Sequence, residues 1–368
     1  MIDTILVLNA GSSSLKFQVF RSDDLGVLAR GKAVRLGEAE PAMDASLADG
    51  RRERIALPQA CDHDTALSAV LAFVDRHDDG WRMQAVAHRI VHGGETYADP
   101  VVVTPAVFAA LEALSPLAPL HQPHNLAAVA AAQRLMGDVP NIACFDTAFH
   151  AGHDPLTHNF ALEQGLRDKG IRRYGFHGLS YQWLEMVLAE QHPDLHAGRV
   201  VAAHLGNGAS LCAIRGGRSI DTTMGMTALD GLPMGTRSGA LDAGAVLYMF
   251  QSLGMSAEEV SNTLYEQSGL LGLSGLSNDV ETLLASDDPQ ARFALDYFAL
   301  KVAQFGAAMA AAMAGIDGFV FTGGIGEHAA PVRDAILERL AFLGNFKVLV
   351  IPANEERVMA VQANALIA

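Results

Sequence analysis

The chain has 368 residues, is 50% hydrophobic and 18% charged, and carries a formal net charge of −15 at pH 7. This length exceeds one ordinary hydrophobic core and predicts two domains. The acidic balance excludes the protein classes that bind nucleic acid or anionic membranes through broad basic surfaces. An anionic substrate therefore has to be bound by a few local Arg, Lys and His side chains.

The sequence also predicts a cellular compartment. Cys61, Cys144 and Cys212 form no CxxC pair and are typical of buried thiols in a reducing environment. The N-terminal apolar stretch is short and has no basic residues before it, unlike a secretory signal. The apolar segment 305–316 is shorter than the ~20 residues of a membrane span. We expect a core helix there and a cytosolic protein.

Two segments of the chain resemble each other, 5–20 and 200–214. Each has an apolar run, a turn of small residues that carries Asn, Gly and Ser, and a second apolar run. This pattern predicts a β-hairpin. One such hairpin near the start of each half indicates a duplicated domain, with the halves meeting near residue 150.

Helical and strand patterns alternate around these hairpins. In chain order, we expect a surface loop over 37–54, a helix over 64–77, a strand over 86–91, helices over 105–114 and 124–136, and a strand over 141–145. A capping box at 256–259 precedes a helix, and a helix over 289–314, a strand over 319–322 and a proline-started helix over 331–342 follow. This alternation predicts α/β sheets covered by helices.

Three short segments are rich in Gly, Ser or Asn: 9–16, 206–210 and 321–328. Such segments expose backbone N–H groups and can form anion sites without positive charge. Lys16 adds an ammonium group to the first of them. Any one of these segments is compatible with a plain hairpin turn. All three on a duplicated α/β frame predict a nucleotide site.

The three segments resemble the nucleotide site of the superfamily that unites acetate and sugar kinases, chaperone ATPases and actin. Further blocks, spread from residue 7 to residue 356, resemble the acetokinase family: VLNAGSSSLKF, AHRIVHGGE, SPLAPLHQPHN, FDTAFH, RRYGFHGLSY, AHLGNGASL, SIDTTMG, DGLPMGTRSG, FTGGIGEH and IPANEE. The resemblance implies two duplicated ribonuclease H-like domains with an ATP cleft between them. The first comprises residues 1–148 plus 358–368. The second comprises 149–357 and carries the adenosine site and a homodimer interface.

The resemblance also implies a reaction and its catalytic residues. Phosphoryl transfer to a carboxylate joins two anions, and a guanidinium fork binds such oxygens in a bidentate manner. Arg89 is implied to orient the carboxylate, and Arg89, Arg237 and His177 to stabilise the transferring phosphoryl group. Asp146 matches the catalytic carboxylate. A carboxylate nucleophile is already ionised at neutral pH, so we expect Asp146 to position metal and substrate rather than act as a base. An N-cap role for Asp146 stays open.

Three further sets of residues follow from the resemblance. Mg²⁺, or alternatively Mn²⁺, prefers oxygen ligands, and Asn9 and Glu355 match the metal-side positions. The implied acyl site is formed by Arg89, Val91, Leu120, Phe176 and Ala228, with His121 as a supporting residue. The implied ATP and ADP contacts are Ser12, Ser14, Lys16, His204, Leu205, Gly206, Asn207, Gly208, Asp279, Val280, Glu281, Gly324, Ile325, Gly326, Glu327 and His328.

Four positions depart from the family pattern. Glu281 stands where the family usually has an arginine, which puts a nucleotide contact of that side chain in doubt. Gln122 and His328 replace asparagines. Ala228 replaces a proline of the acyl pocket and removes a wall from it.

The resemblance therefore implies reversible, Mg²⁺-dependent transfer of the ATP γ-phosphoryl group to acetate, giving acetyl phosphate and ADP. Two alternatives stay open. One is a propionate kinase of the same family with a wider pocket. The other is a non-catalytic ATP-binding switch of the actin or chaperone type, which needs neither an acyl pocket nor the two arginines. No nucleic acid or membrane partner is expected.

Overall fold

The computed structural model describes residues 1–11, 13–77, 80–119 and 121–367. The chain folds into two compact units. The first unit comprises residues 1–148 together with the C-terminal segment from Asn354, and the second comprises Phe149–Ala353. Among the described residues, no helix is long and apolar enough to cross a membrane.

The first unit is built on one mixed sheet. Its strands are β1 (Ile2–Ala10), β2 (Ser14–Arg21), β3 (Val27–Val34), β4 (Ala42–Leu47), β5 (Arg52–Ala56), β6 (Trp81–Ile90), β7 (Val101–Val102) and β8 (Asn141–Phe145). Its helices are α1 (His63–His77), α2 (Pro105–Glu112), α3 (Gln122–Met136) and, from the end of the chain, α15 (Glu355–Ile367). Within the described residues the strand order is β5-β4-β3-β2-β1-β6-β8-β7.

Strand β2 shows why this sheet has two different faces. Leu15, Phe17 and Val19 are buried and pack in the core with residues of α1 and α3, whereas Lys16 between them is exposed. Side chains of a strand point alternately to opposite faces, so this pattern fixes which face meets the helices. Helix α15 packs on β1 and β6 and buries Val358 and Met359.

The second unit has its own sheet and a set of helices. The strands are β9 (Arg199–Leu205), β10 (Ala209–Arg215), β11 (Arg218–Thr222), β12 (Gly318–Thr322) and β13 (Lys347–Val350). The helices are α4 (Pro155–His158), α5 (Gln164–Arg167), α6 (Gly178–Gln191), α7 (Pro193–Ala197), α8 (Ala243–Gln251), α9 (Ala257–Glu266), α10 (Gly269–Ser274), α11 (Val280–Leu284), α12 (Pro289–Ala312), α13 (Gly323–His328) and α14 (Ala330–Leu340).

The two units repeat one topology. In the first, β3, β2 and β1 are antiparallel, and β6 and β8 add parallel strands beyond β1. In the second, β11, β10 and β9 are antiparallel, and β12 and β13 add parallel strands beyond β9. The predicted duplication of a ribonuclease H-like α/β domain is confirmed.

Three predictions about local structure were wrong. The expected loop over 37–54 contains β4 and begins β5, because the buried Met43 and Ala45 alternate with the polar Asp44 and Ser46, and β5 begins with three charged residues that mask the strand pattern. The Gly-Gly segment after β12 is not a loop but the short helix α13. There the Glu327 carboxylate accepts a hydrogen bond from the N–H of Gly323 (3.1 Å) and satisfies a donor at the helix start. Helix α15 begins at Glu355, three residues before the predicted 358.

Candidate active site

In the first unit, the partly buried Arg89 and the buried Asp146 form an ion pair at the end of two parallel strands. Arg89 is the penultimate residue of β6, and Asp146 directly follows β8, which pairs with β6 in parallel. The Arg89 Nε lies 3.0 Å from Asp146 Oδ1, and Nη2 lies 2.6 Å from Oδ2. The contact is therefore a bidentate guanidinium–carboxylate pair.

The electrostatics of this pair are those of a desolvated site. Desolvation raises the pKa of Asp146, which is 2% exposed, and the Arg89 guanidinium opposes the rise. Burial alone would lower the pKa of Arg89, but Asp146 and Glu355 outweigh it and hold that pKa above its ordinary value. The guanidinium is thus a permanent cation whose orientation is fixed by Asp146.

Side-chain oxygen atoms surround the other side of the guanidinium. Arg89 Nη1 lies 3.4 Å from Asn9 Oδ1 and 3.6 Å from Glu355 Oε2. The Asn9 amide also donates to Glu356 Oε1 at 3.4 Å. The structure thus brings together four predicted residues of this unit and adds Glu356, the last residue of the IPANEE block, for which no role was predicted. Three carboxylates against one guanidinium leave a negative excess.

This donor set suits a hard cation. Mg²⁺ takes oxygen ligands and is usually held by one or two carboxylates, with water and phosphate oxygens completing the shell. Asn9 and Glu355 supply an amide and a carboxylate oxygen beside that negative excess. The described residues contain no group of three His, Cys, Asp or Glu side chains placed to hold a metal. Mg²⁺ does not require three such protein ligands, because water and phosphate oxygens complete its shell.

Predicted acyl-site residues of this unit flank β6. Val91 directly follows that strand and is buried, and its N–H donates to Asn125 Oδ1 at 3.0 Å. His121 caps the start of α3 and is half-buried. Asn125 also donates to the Ala10 carbonyl at 2.7 Å, so this amide ties the segment after β6 to the end of β1. Leu120 lies outside the described residues.

The hairpin between β1 and β2 holds the first Gly-Ser segment. The N–H of Gly11 donates to the Ser14 carbonyl at 2.8 Å, and His63 Nε2 lies 2.7 Å from the Gly11 carbonyl oxygen. Lys16 is exposed on β2, opposite Asn9 in the cross-strand register. Ser12 lies outside the described residues.

In the second unit, His177 adopts an unusual backbone conformation. Its φ is 58°, a left-handed value that is uncommon for a residue other than glycine, and it directly precedes α6. Such strain persists only where the surroundings fix it, and it concentrates at functional sites. The conformation places the imidazole against β9 and β10.

Two histidine rings stack beside a short polar network. The centroids of His177 and His204 are 4.2 Å apart. Nδ1 of His177 lies 2.8 Å from Ser210 Oγ, which is 2.5 Å from the buried Tyr181 hydroxyl. Nδ1 of His204 lies 2.8 Å from Ser180 Oγ. Ser180 and Tyr181 end the block RRYGFHGLSY, but no role was predicted for either of them.

Gly208 lets backbone approach this histidine. A Cβ atom at Gly208 would lie 3.3 Å from His177 Nε2 and 4.0 Å from Arg237 Nη1. The Arg237 Nη1 donates to the Ala228 carbonyl at 3.1 Å. Four predicted residues therefore converge here. Phe176 is also buried, directly before His177.

Two of the three predicted nucleotide segments, 206–210 and 321–328, meet at the carboxyl ends of β9 and β12, which are parallel neighbours. A Cβ atom at Gly206 would lie 4.0 Å from the N of Gly324. Gly323 has φ +80° and passes so close to the Leu205 carbonyl that a Cβ there would lie 2.7 Å away. Asn207 accepts a hydrogen bond from the N–H of Gly235 at 3.0 Å. Ligands of α/β sheets bind at such carboxyl ends.

Several predicted nucleotide residues have structural partners. Asp279 caps α11 by accepting from the N–H of Thr282 at 3.0 Å, Val280 is buried in the core, and Glu281 is exposed. Glu327 accepts from the N–H of Ala353 at 2.9 Å. The remaining three predicted residues lie with Glu327 on the short helix α13. Ile325 is half-buried, Gly326 is buried and His328 is exposed.

The sequence matches the acetokinase family over residues 4–348. The acetate kinase of Rhodopseudomonas palustris is 47% identical over 352 residues, which cover 94% of this chain and 88% of that protein. The acetate kinase of Methylocella silvestris is 42% identical over 394 aligned positions, covering 99% and 98%.

Solved structures are similar over the full length. The acetate kinase of Porphyromonas gingivalis superposes with a TM-score of 0.89 at 32% identity, covering 100% of both chains. A propionate kinase from Francisella tularensis superposes with a TM-score of 0.92 at 33% identity, covering 98% of this chain and 99% of that one.

Proposed function

The chain belongs to the acetokinase family, and on that premise we propose how its residues transfer the γ-phosphoryl group of ATP to acetate. The activity is that of an acetate kinase, a phosphotransferase that gives acetyl phosphate and ADP. The observation that carries the proposal is the buried Arg89–Asp146 pair with Glu355 beside it. An arginine that only adds charge to the surface would not be held by two hydrogen bonds to a desolvated carboxylate, as Arg89 is.

Arg89 binds and orients the acetate carboxylate in this proposal. Its Nε and Nη2 are held by Asp146, so the fork cannot rotate away, and a fixed fork binds one carboxylate geometry. Asp146 acts as a positioning group and not as a base, because acetate arrives ionised. The alternative role of Asp146 as a helix cap is not supported, since its carboxylate is engaged by Arg89.

Asn9 and Glu355 hold the Mg²⁺ that accompanies ATP. When bound, the ion neutralises phosphate charge and so lets two anionic reactants approach. The negative excess around Arg89 supports this assignment. Glu356 orients Asn9 through its amide and acts as a positioning residue.

His177 donates Nε2–H to the transferring phosphoryl group. Burial raises the pKa of Tyr181 well above its ordinary value, so its hydroxyl keeps the proton. We assign that hydroxyl as donor to Ser210, and Ser210 as donor to His177 Nδ1. The proton of the imidazole then resides on Nε2, which faces Gly208 and Arg237. Arg237 supplies the second cation for the equatorial oxygens.

The nucleotide lies along the segments at the ends of β9 and β12, where Gly208 and Gly324 carry no side chain that would cover their backbone N–H groups. The N–H of Gly206 donates to the Gly208 carbonyl at 3.0 Å and holds the turn. The family resemblance also implies phosphate contacts from Lys16 and Ser14 in the hairpin of the first unit. Glu281 replaces the arginine of the family pattern and is exposed. We therefore expect no charge-assisted contact with the nucleotide from that position.

Propionate is the second candidate substrate. The similarity to a solved propionate kinase, with a TM-score of 0.92, is as close as that to acetate kinases, so the fold does not separate the two. The deciding measurement is kcat/KM for acetate, propionate and butyrate with Mg-ATP, with hydroxylamine trapping of the acyl phosphate. We expect acetate first, propionate second and butyrate poor. ADP release without acyl phosphate for any acid would instead support an ATP-binding switch.

We further propose that the chain forms a homodimer through the second unit. None of the residues of α8 is buried, although its sequence AGAVLYMFQ is apolar, and Leu247 and Leu253 are 55% and 60% exposed. Contiguous apolar surface of this kind marks protein interfaces. A second copy of the chain is the partner that the family resemblance implies.

Light scattering coupled to gel filtration tests this interface. The wild type should elute as a dimer, and Leu247→Asp combined with Leu253→Asp should give a folded monomer. Leu156→Asp, at a residue 94% exposed on α4, is the matched control and should stay dimeric. A monomeric wild type would contradict the proposal.

We also propose that the protein works in the cytosol. Cys61, Cys144 and Cys212 are unpaired and buried, and burial raises the pKa of each thiol. Thiols of this kind are typical of proteins that fold in a reducing compartment.

A further inference from the structure

The first unit carries cations on the outer face of strands β2 to β5. Two rows of residues cross these four antiparallel strands. The cross-strand register of the first row aligns Lys16, Lys32, Asp44 and Arg54. Two residues along, the register of the second row aligns Gln18, Arg30, Ser46 and Arg52. Alternate residues of a strand share one face, so both rows lie on the face opposite Phe17 and the core. We call Lys16, Arg30, Lys32, Arg52 and Arg54 the cationic face.

Most of this charge is uncompensated. All five side chains of the cationic face are exposed. Arg54 lies 3.9 Å from Asp44. In the part of the chain that the structure describes, the other four form no ion pair. This concentration of positive charge stands out in a protein whose net charge is −15.

The arrangement of these cations lowers the stability of the sheet. A need for solubility alone does not explain why they stand side by side. Lys16 and Lys32 are directly opposite each other, and like charges at such positions are destabilising. Partial desolvation, and secondarily the charge of Lys16, lowers the pKa of Lys32. Charges on an edge strand prevent sheet-to-sheet association, which accounts for β5. It does not account for β2 and β3, which lie inside the sheet.

The cationic face forms one side of a groove. Its volume is about 660 Å³, within the range of small-molecule sites. Three acids also line it, Asp44, Glu53 and Glu356. Glu53 is bound by His77 at 2.5 Å and by Arg76 at 3.2 Å, and Glu356 accepts from Asn9. The groove therefore keeps a positive excess.

We propose that this groove binds a small anion with two or more phosphoryl groups. Adjacent strands are ~4.8 Å apart and the two rows ~6.7 Å apart, so the cations are spread for several charged groups rather than for one monovalent ion. Arginine forks and lysine ammonium groups are the usual partners of phosphate. Arg30, Lys32 and Arg52 define the site, and none of them belongs to a nucleotide segment or to the Arg89 cluster. Lys16 and Glu356 line this groove and also serve the proposed transfer site, so the groove adjoins that site. The three defining cations serve no step of the transfer.

Calorimetric titration with inorganic tripolyphosphate tests the site. The buffer contains no divalent metal, and saturating ADP occupies the nucleotide site of the full-length enzyme. We expect the wild type to bind about one tripolyphosphate per chain, with an affinity that falls as salt increases. Arg30→Gln combined with Arg52→Gln should weaken binding at least tenfold. Arg82→Gln combined with Arg134→Gln removes the same charge from the same unit and should change it less than twofold.

Two results would overturn this inference: no binding by the wild type in the presence of ADP, or equal weakening by the two double variants. The single variant Lys32→Gln is the reserve if the first double variant does not fold, and it should also weaken binding. Acetate kinase activity is measured in parallel. Full activity together with no tripolyphosphate binding rejects the groove and leaves the proposed function intact.

Discussion

At the scale of single residues, the difference between Arg89 and Arg82 is instructive because both lie on β6 and both grip an aspartate with two nitrogens. Arg82 contacts Asp3 at 2.7 and 2.8 Å on the surface, and such pairs contribute little. Arg89 makes the same contact in a desolvated position. The same bidentate contact is therefore a weak surface ion pair at Arg82 and fixes the orientation of a cation at Arg89.

The conservative substitution Arg89→Lys tests this difference. Lysine keeps the charge but loses the planar fork, so the contact to Asp146 cannot stay bidentate. We expect kcat to fall at least 100-fold, and Arg89→Ala or Arg237→Ala to cost about 10³-fold. Steady-state kinetics measure the effect, and Arg82→Lys is the matched control with less than a twofold change. A loss below tenfold for Arg89→Lys would remove the fork from the mechanism.

We expect acyl selectivity, too, to depend on single residues. Val91 is buried behind β6, and a smaller residue there opens space for one more methylene. That methylene is worth about 1–3 kcal/mol in an apolar pocket. Val91→Ala should raise the propionate-to-acetate ratio of kcat/KM, and Ala228→Pro should lower it. A ratio that Val91→Ala leaves unchanged would show that the valine does not line the pocket.

At the scale of elements, the helices and strands predicted from the sequence are those that combine a periodic apolar pattern with a residue signal at one end. The strand over 141–145 and the capping box of Ser256 and Glu259 agree with the structure. β4 and β5 were missed because their charged outer face hid the alternation. The helix α13 was missed because three glycines in six residues argue against a helix, and its stabilising contact comes from Glu327 and the distant Ala353.

The same limit applies to the site. Arg89, Asp146 and Asn9 lie in blocks that resemble the acetokinase family, and that resemblance indicated them. Glu356 and Tyr181 lie in two such blocks without a predicted role. Glu356 and Tyr181 contact the site only because α15 and α6 pack where they do. No pattern along the chain encodes such a contact.

The first turn of α15 carries the element-scale prediction. Glu355 begins this helix within 3.6 Å of Arg89. Glu355→Gln removes the charge that favours Mg²⁺ while retaining the size of the side chain. Activity titrated against free Mg²⁺ should then show a midpoint shifted at least tenfold upward. Glu258→Gln removes an acid from the first turn of α9 and controls for effects on a helix terminus. An unmoved midpoint for Glu355→Gln would leave this residue a structural role only.

At the scale of the whole molecule, one topology serves two tasks. The first unit gathers carboxylates and a guanidinium at the ends of β6 and β8, and the second gathers histidines and glycine-rich turns at the ends of β9 and β12. In both units, these residues lie at or near the carboxyl ends of the parallel strands, where ligands of α/β sheets bind. The duplication explains why one sequence pattern, found twice, predicted the fold before any residue was assigned.

The buried histidines give the molecule a pH-dependent stability. Burial lowers the pKa of His88, His92 and His150 to about 4, and that of His153 to about 3. The folded values lie below the unfolded value of about 6.5, so the unfolded chain binds protons first as the pH falls. Stability is therefore complete above pH 6.5 and decreases between about 6.5 and 4.

Calorimetric melts across this window measure the effect in each unit. One proton per histidine corresponds to about 1.4 kcal/mol per pH unit, or a Tm change of roughly 3–5 °C per pH unit for a unit of this size. His153→Gln lowers Tm at every pH, because Ser219 loses a 2.7 Å partner. It should nevertheless flatten the dependence of Tm on pH below 6.5. His192→Gln, at a partly exposed ring, should leave the wild-type slope. Equal slopes for both variants would mean that His153 does not contribute to the loss of stability in this window.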